Sequence, residues 1–189
     1  MIVIAGPSGV GKGSVVQRLL TRHPEELVLS VSATTRRPRP SEVGGRDYTF
    51  LDEETFRGLE ALGGLLEWAD VFGNLYGTPA APAEQQLRAG RDVVVEIDVQ
   101  GAAQVRERTP DAFLIFLAPP SLADLESRLR GRGTESDDRI AERLQKAAWE
   151  ISQASWFDRV VVNDDLERAT DEVAAIIEAS RSEPPEESA

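Results

Sequence analysis

Cysteine is absent from this chain of 189 residues, and histidine occurs once. Without thiols there is no disulfide framework and no thiolate metal centre. A single imidazole, His23, speaks against a histidine zinc site or a nucleophile–histidine triad, and with Pro24 behind it His23 is expected at a helix end. No apolar run approaches the roughly 20 residues of a membrane helix. The start carries no basic, apolar leader, so the expected setting is the cytoplasm with no membrane contact. Positive charge is in deficit: the net charge of −12 disfavours non-specific nucleic-acid binding. Lysine is scarcest of all, with only Lys12 and Lys146 among 21 basic residues. A coding bias toward arginine explains the scarcity. It does not explain a lysine kept inside a glycine loop.

What is present is rhythm. The length suits one compact unit with its own core. Extended segments are expected at 2–5, 28–32, 48–51, 65–68, 92–98, 112–118 and 160–162. Helical patterns are expected at 13–22, from 52 onward, and at 79–89, 99–108, 121–130, 137–155 and 166–180. Strands alternating with helices imply an α/β fold with a doubly wound parallel sheet. The rhythm breaks between about 34 and 78, where short strands and glycine turns suggest an inserted subdomain. The acidic, Pro-rich end, 182–189, reads as a disordered tail behind a unit spanning 1–181.

The first strand runs into Gly6, Pro7, Ser8, Gly9, Val10, Gly11, Lys12, Gly13 and Ser14. A glycine turn between strand and helix aims backbone N–H groups at one point, where a phosphate is stabilised by the helix N-terminus. Lys12 can then reach the β- and γ-phosphates of a nucleotide. Gly13 stands where a Ser or Thr hydroxyl would ligate Mg²⁺, and Ser14 shifts that hydroxyl by one place. The loop resembles the GKG[ST] loops of nucleoside monophosphate kinases. That resemblance implies ATP with Mg²⁺ held mainly by phosphates and waters, with no protein metal ligand.

Two arginine clusters stand out in an acidic protein. Arg36, Arg37, Arg39 and Arg46 crowd one segment stiffened by Pro38 and Pro40, with Tyr48 just beyond. Four guanidinium groups repel one another unless an anion lies among them, and their planar forks suit a phosphate. Arg128, Arg130, Arg132, Arg139 and Arg143 surround GRGTESDD, with Arg130 read as ordinary surface charge. That stretch, about 131–138, reads as a mobile lid bringing positive charge onto a transferring group. Two phosphate sites and a lid suggest direct phosphoryl transfer, which needs positioning and charge neutralisation rather than a protein nucleophile.

With GPSGVGKG, SVSATTRRPRPSEVGGRDY, LLEWADVFGNLYGTP, VVVEIDVQGA, FLAPPSLADLESRLRGRGTES and VVVNDDLE together, the sequence resembles the guanylate kinase family from about residue 2 to 180. The resemblance implies a P-loop nucleoside monophosphate kinase fold: a core of 1–33 and 79–181, a GMP-binding insertion and a lid. It implies that Ser32, Glu67 and Thr78 face guanine with Asp98 nearby, and that Arg36, Arg39, Tyr48 and Tyr76 hold the GMP phosphate. It implies catalytic roles for Lys12, Arg36, Arg128, Arg132 and Arg143, and places Asn163 and Asp164 near adenine. Glu96 and Asp98 end the central strand near substrate and metal waters; which does what stays open. Leu75 stands where the family commonly has an aromatic. The chemistry agrees, since a carboxylate accepts from both N1–H and N2–H₂ of guanine, whereas adenine offers an acceptor at N1. The implied acceptor is GMP, with no obligate protein partner evident. Two alternatives stay open on the residues: a non-catalytic phosphopeptide-binding module, and a kinase of the same fold acting on a phosphorylated ribose.

Overall fold

A computed structural model describes residues 1–131 and 136–182. Arg132, most of the expected lid and the tail from 183 lie outside the described residues. Five parallel strands form the main sheet in the order β2 (Leu27–Leu29), β7 (Asp92–Glu96), β1 (Ile2–Ala5), β8 (Phe113–Ala118) and β9 (Arg159–Val162). The four residues of β1 are buried throughout, as a strand covered on both faces must be. Alternation divides it: Ile2 and Ile4 enter one core, Val3 and Ala5 the other.

The Ile2–Ile4 face is covered by helix α1 (Lys12–Arg22) through Val15, Val16 and Leu19, and by α7 (Leu166–Ser182) through Ala169, Val173 and Ile177. The Val3–Ala5 face takes Ala83 of α3 (Ala80–Arg88), and Val99, Ala102 and Val105 of α4 (Val99–Arg108). Helices on both faces of a parallel sheet confirm the doubly wound α/β class. Open sheets of this kind bind ligands beyond the carboxyl ends of their strands. The glycine loop, Glu96, Asp98 and Asn163 all follow such ends. No helix among the described residues is long and apolar enough to cross a membrane.

A second sheet has the order β4 (Thr49–Phe50), β3 (Ala33–Thr34), β6 (Asn74–Pro79) and β5 (Leu65–Val71). It closes over a small core of Ala33, Phe56, Leu65 and Leu75, with Phe56 supplied by α2 (Glu53–Ala61). Asp52 caps α2, its side chain accepting from Thr55 N at 2.7 Å.

Three expectations need correction. The strand β6 was not expected, because Gly77 and Pro79 read as breakers. Gly77 is required there: a Cβ would lie 2.7 Å from the Glu67 carbonyl oxygen. The extended segment expected at 28–32 is shorter: β2 ends at Leu29, and the next strand, β3, begins only at Ala33 and lies in the other sheet. Ser30 N still bonds Val94 O, after which the chain leaves the main sheet. The helix expected to reach 155 is α6 (Asp137–Ser152), followed by a separate 3₁₀ turn, Ala154–Trp156. Completing the helices is α5 (Leu122–Gly131).

The small core makes a specific demand. Phe56→Ala removes the largest side chain from a cluster with few others, and is expected to cost about 3–5 kcal/mol. Urea unfolding of the two proteins checks this; a loss under about 1 kcal/mol would show that the cluster collapses to fill the space.

Candidate active site

The glycine loop is built by left-handed backbone and close approach. Gly6, Gly9 and Gly11 have φ of 148°, 91° and 102°. A Cβ on Gly6 would lie 2.2 Å from Leu117 O, and one on Gly11 2.6 Å from Asn163 Nδ2. Only glycine fits both the angle and the space. No side chain caps α1, so donors of its first turn remain for an anion. The Lys12 ammonium folds back onto Gly6 O at 2.6 Å and Pro7 O at 3.2 Å. Burial lowers its pKa, while Glu96, Glu150 and Asp98 act in the opposite direction.

Three residues hold this loop from outside. Arg128 donates to Val10 O at 3.2 Å and Asn163 O at 2.7 Å. Asn163, itself buried, donates from Nδ2 to Val10 O at 2.7 Å. Arg143 of α6 donates to Ser8 Oγ at 3.0 Å. Thus Arg128 and Asn163 are spent on the loop's backbone, while Asp164 pairs with Arg168 at 2.5 Å. Arg130 pairs with Glu126 and Asp137 on the exposed surface.

The first arginine cluster gathers around an acid that sequence reasoning passed over. Arg36 donates Nη1 and Nη2 to Glu42 at 3.1 and 2.9 Å, and Nε to Tyr76 OH at 3.1 Å. Glu42 also accepts from Arg39 N at 2.7 Å, and its carboxyl is held below its usual range chiefly by the Arg36 hydrogen bonds. The pair is 17% and 13% exposed, well shielded for a surface loop. A carboxylate in this fork occupies the place of an anion. The only signal for Glu42 was its position among four arginines. Tyr48 lies under the Arg36 guanidinium at 5.5 Å and edge-on to Tyr76 at 6.1 Å. Arg39 has its side chain exposed at the rim, and Ser32 is half-buried, its carbonyl bonded to Thr49 N.

Glu67, 7% exposed, accepts from Thr78 Oγ1 at 2.7 Å. Burial raises its pKa, Thr78 opposes, and Asp98 pushes it further up. At the end of β7, Glu96 is raised by burial and pulled down by Lys12. Asp98 caps α4, Oδ1 accepting from Gly101 N at 3.0 Å, while Oδ2 accepts from Lys146 at 3.2 Å. Lys146 also pairs with the buried Glu150 at 3.7 Å. Both lysines of the chain therefore serve one acidic group: Glu96, Asp98 and Glu150. Burial raises the pKa of the Tyr48 hydroxyl, with the Arg36 charge acting against it. Lys146 and Glu150 were not anticipated; the rarity of lysine was the available hint.

Gly13 faces Glu96, with 3.6 Å from a hypothetical Cβ to Oε1. The Glu96 carboxylate is a hard oxygen donor of the kind that holds a divalent cation directly or through its waters. Separately, a hollow of about 360 Å³ between β9 and α7 is lined by Phe113, Arg159, Val160 and Ile176, among others. It contains none of these acids or loop residues.

A glycine loop joining the central parallel strand to its helix, beside an arginine-lined second anion site, defines a P-loop kinase of the nucleoside monophosphate type. More narrowly, the chain belongs to the guanylate kinase family, whose family model matches residues 1–180. It is 56% identical over 169 residues to the guanylate kinase of Synechococcus sp. (strain CC9902), covering 89% of this chain and 90% of that protein. Against the guanylate kinase of Aromatoleum aromaticum it is 51% identical over 181 residues, 96% of this chain and 88% of the other. The crystal structure of guanylate kinase from Anaplasma phagocytophilum superposes with a TM-score of 0.75 at 36% identity, over 97% of this chain and 86% of that one. A gluconokinase from Sinorhizobium meliloti 1021, 18% identical with a TM-score of 0.51, shares the fold alone.

The buried Glu67 carries a stability cost. Its proton is held more tightly in the folded state, so stability falls as pH rises from its ordinary value of 4.5 through the raised folded value. Glu67→Gln removes that loss and still accepts from Thr78. The variant is expected to be more stable than the native protein near pH 7, with the difference shrinking to nothing toward pH 4.5. Urea melts across that range check the sign; equal stability at neutral pH would contradict it.

Proposed function

We propose that the protein transfers the γ-phosphate of ATP to GMP, giving ADP and GDP, in the cytoplasm and with Mg²⁺. The observation that carries this reading is the presence of two cationic clusters suited to phosphate: the glycine loop with Lys12, and Arg36 with Tyr48 and Tyr76. An oxygen of the GMP phosphate forms a bond to the γ-phosphorus as the bond to the β,γ-bridging oxygen breaks. The electron pair leaves on the β-phosphate of ADP. Magnesium, when bound with ATP, neutralises phosphate charge.

The chain's own residues position and neutralise. Loop N–H groups hold the donor phosphates, and Lys12 exchanges its carbonyl partners for phosphate oxygens. Arg36 exchanges Glu42 for the acceptor phosphate, with the Tyr48 and Tyr76 hydroxyls beside it and Arg39 closing from the rim. Arg128 and Arg143 keep the loop in shape, and Arg143 lies near enough to Ser8 to meet the transferring group. Arg132 completes the arginine set in this reading. Glu67 accepts from N1–H and N2–H₂ of guanine, with Thr78 orienting it and Ser32 and Asp98 beside it. Asn163 backs the loop on the adenine side. Residues from about 34 to 78 form the acceptor-binding unit.

Two measurements test this. Lys12→Met removes the loop's charge and is expected to lower kcat about a hundredfold or more, with an unchanged circular dichroism spectrum. Near-normal turnover would remove Lys12 from the mechanism. A coupled assay of ADP formation with GMP, IMP and AMP reads the base. GMP is expected to be strongly preferred, and Glu67→Gln to lower its kcat/KM about ten- to a hundredfold, while IMP loses less. An unchanged GMP-over-IMP ratio would move the guanine site away from Glu67.

A further inference from the structure

We propose that Gln104 is a positioning residue for guanine selection: it pins the register of β5 so that Glu67 faces the site. The proposal rests on the reading of Glu67 given above. β5 is the outer strand of the second sheet, and its ladder with β6 is irregular between Leu65 and Trp68. Glu67 lies inside that irregular stretch. Successive side chains of a strand point to opposite faces, so a slip of one residue would turn Glu67 out of the site. The ladder is regular from Trp68 to Val71 but skips Leu66 and Glu67, so the hold on Trp68 decides how the acid is presented.

The missing constraint comes from α4, which packs on the main sheet and also lies along the outer edge of β5. Gln104 Nε2 donates to Trp68 O at 3.0 Å, and its Oε1 accepts from Trp68 N at 3.1 Å. One side-chain amide thus pairs with a strand residue as a neighbouring strand would. One turn further on, Arg108 donates to Leu65 O. One turn earlier, Gly101 abuts the acid itself, a Cβ there lying 3.0 Å from Glu67 Oε2. Positions 101, 104 and 108 share one helical stripe and bracket Glu67 from both sides. The same helix is capped by Asp98, so the base-reading acid and the cap are held by one element. A primary amide is the side chain that donates and accepts at once in this geometry; Arg and Lys only donate, and a carboxylate only accepts.

A plain edge brace would lose stability when removed but would leave base choice untouched. The experiment compares Gln104→Met and Gln104→Glu with the native protein for kcat/KM with GMP and IMP, KM for ATP, and Tm. Gln104→Met is expected to lower the GMP-over-IMP ratio about fivefold, with KM for ATP unchanged. A lower Tm with an unaltered ratio would overturn the proposal. Gln104→Glu keeps the length but cannot donate to Trp68 O while ionised. Protonation restores that donor, so its ratio should recover relative to the native protein at the same pH as pH is lowered from about 7 toward about 4.5, the ordinary range of a glutamate. This variant reads the same quantity should Gln104→Met fail to fold, and a ratio equal to the native one at both pH values would also overturn the proposal. In a Glu67→Gln background, Gln104→Met should change the ratio no further. If Glu67→Gln lowers the ratio and the Gln104 variants do not, the present proposal alone fails. If Glu67→Gln itself leaves the ratio unchanged, the assignment of Glu67 fails first and this proposal with it.

Discussion

The carbonyl of Val10 accepts from both the Asn163 amide and the Arg128 guanidinium. That one oxygen ties together the loop after β1, the segment after β9 and helix α5. Within the glycine loop Gly6, Gly9 and Gly11 take left-handed backbone, and apart from Lys12 on the Gly6 and Pro7 carbonyls its side-chain braces come from outside. Its shape must be imposed from neighbouring elements, and Gly11 leaves the space through which Asn163 does so. A phosphate site made of backbone donors has value only if those donors already point at one place, because reorganising them on binding would consume the energy they supply.

The second constraint is electrostatic. Glu67, Glu96 and Glu150 are all raised by burial, and Asp98 lies among them. Buried carboxylates are tolerated when cations face them. For Glu96, Glu150 and Asp98 the chain supplies two, Lys12 and Lys146, from different helices, whereas Glu67 has the Thr78 hydroxyl. Glu42 poses the converse problem at the arginine cluster, where a shielded carboxylate neutralises the Arg36 guanidinium. The free protein thus carries internal stand-ins: backbone carbonyls on Lys12 and Glu42 on Arg36. In the proposed reaction both are released to nucleotide phosphates.

The two sheets divide the labour. The main sheet brings the ends of β1, β7 and the segment after β9 to one edge, as parallel connections require. The smaller sheet, with its modest core around Phe56, holds the arginine cluster and Glu67. α4 belongs to the first layer yet bonds the outer strand of the second at Leu65 and Trp68. Glu67 is thereby anchored to the body of the protein, while Arg36, Tyr48 and Tyr76 lie on the strands and loops beyond.

Local order was legible from the chain alone. Strand-buried runs such as IVIA, the glycine loop, and the Asp52 and Asp98 helix starts follow from spacing and side-chain chemistry, since each acts within a few residues. The resemblance to a known family rested on the same short segments. The strand β6 was hidden because Gly77 and Pro79 read as breakers; only the packed Glu67 carbonyl shows why a glycine must be there. Glu42, Gln104, Lys146 and Glu150 were equally invisible, being ordinary polar residues with no local pattern. Their partners lie up to 48 residues away, in the case of Lys146 and Asp98. The sequence by itself determined the alternation of elements, the loop and the supply of arginines. Tertiary structure decided which polar groups meet, because burial and long-range pairing are set by how two sheets and a shared helix come together.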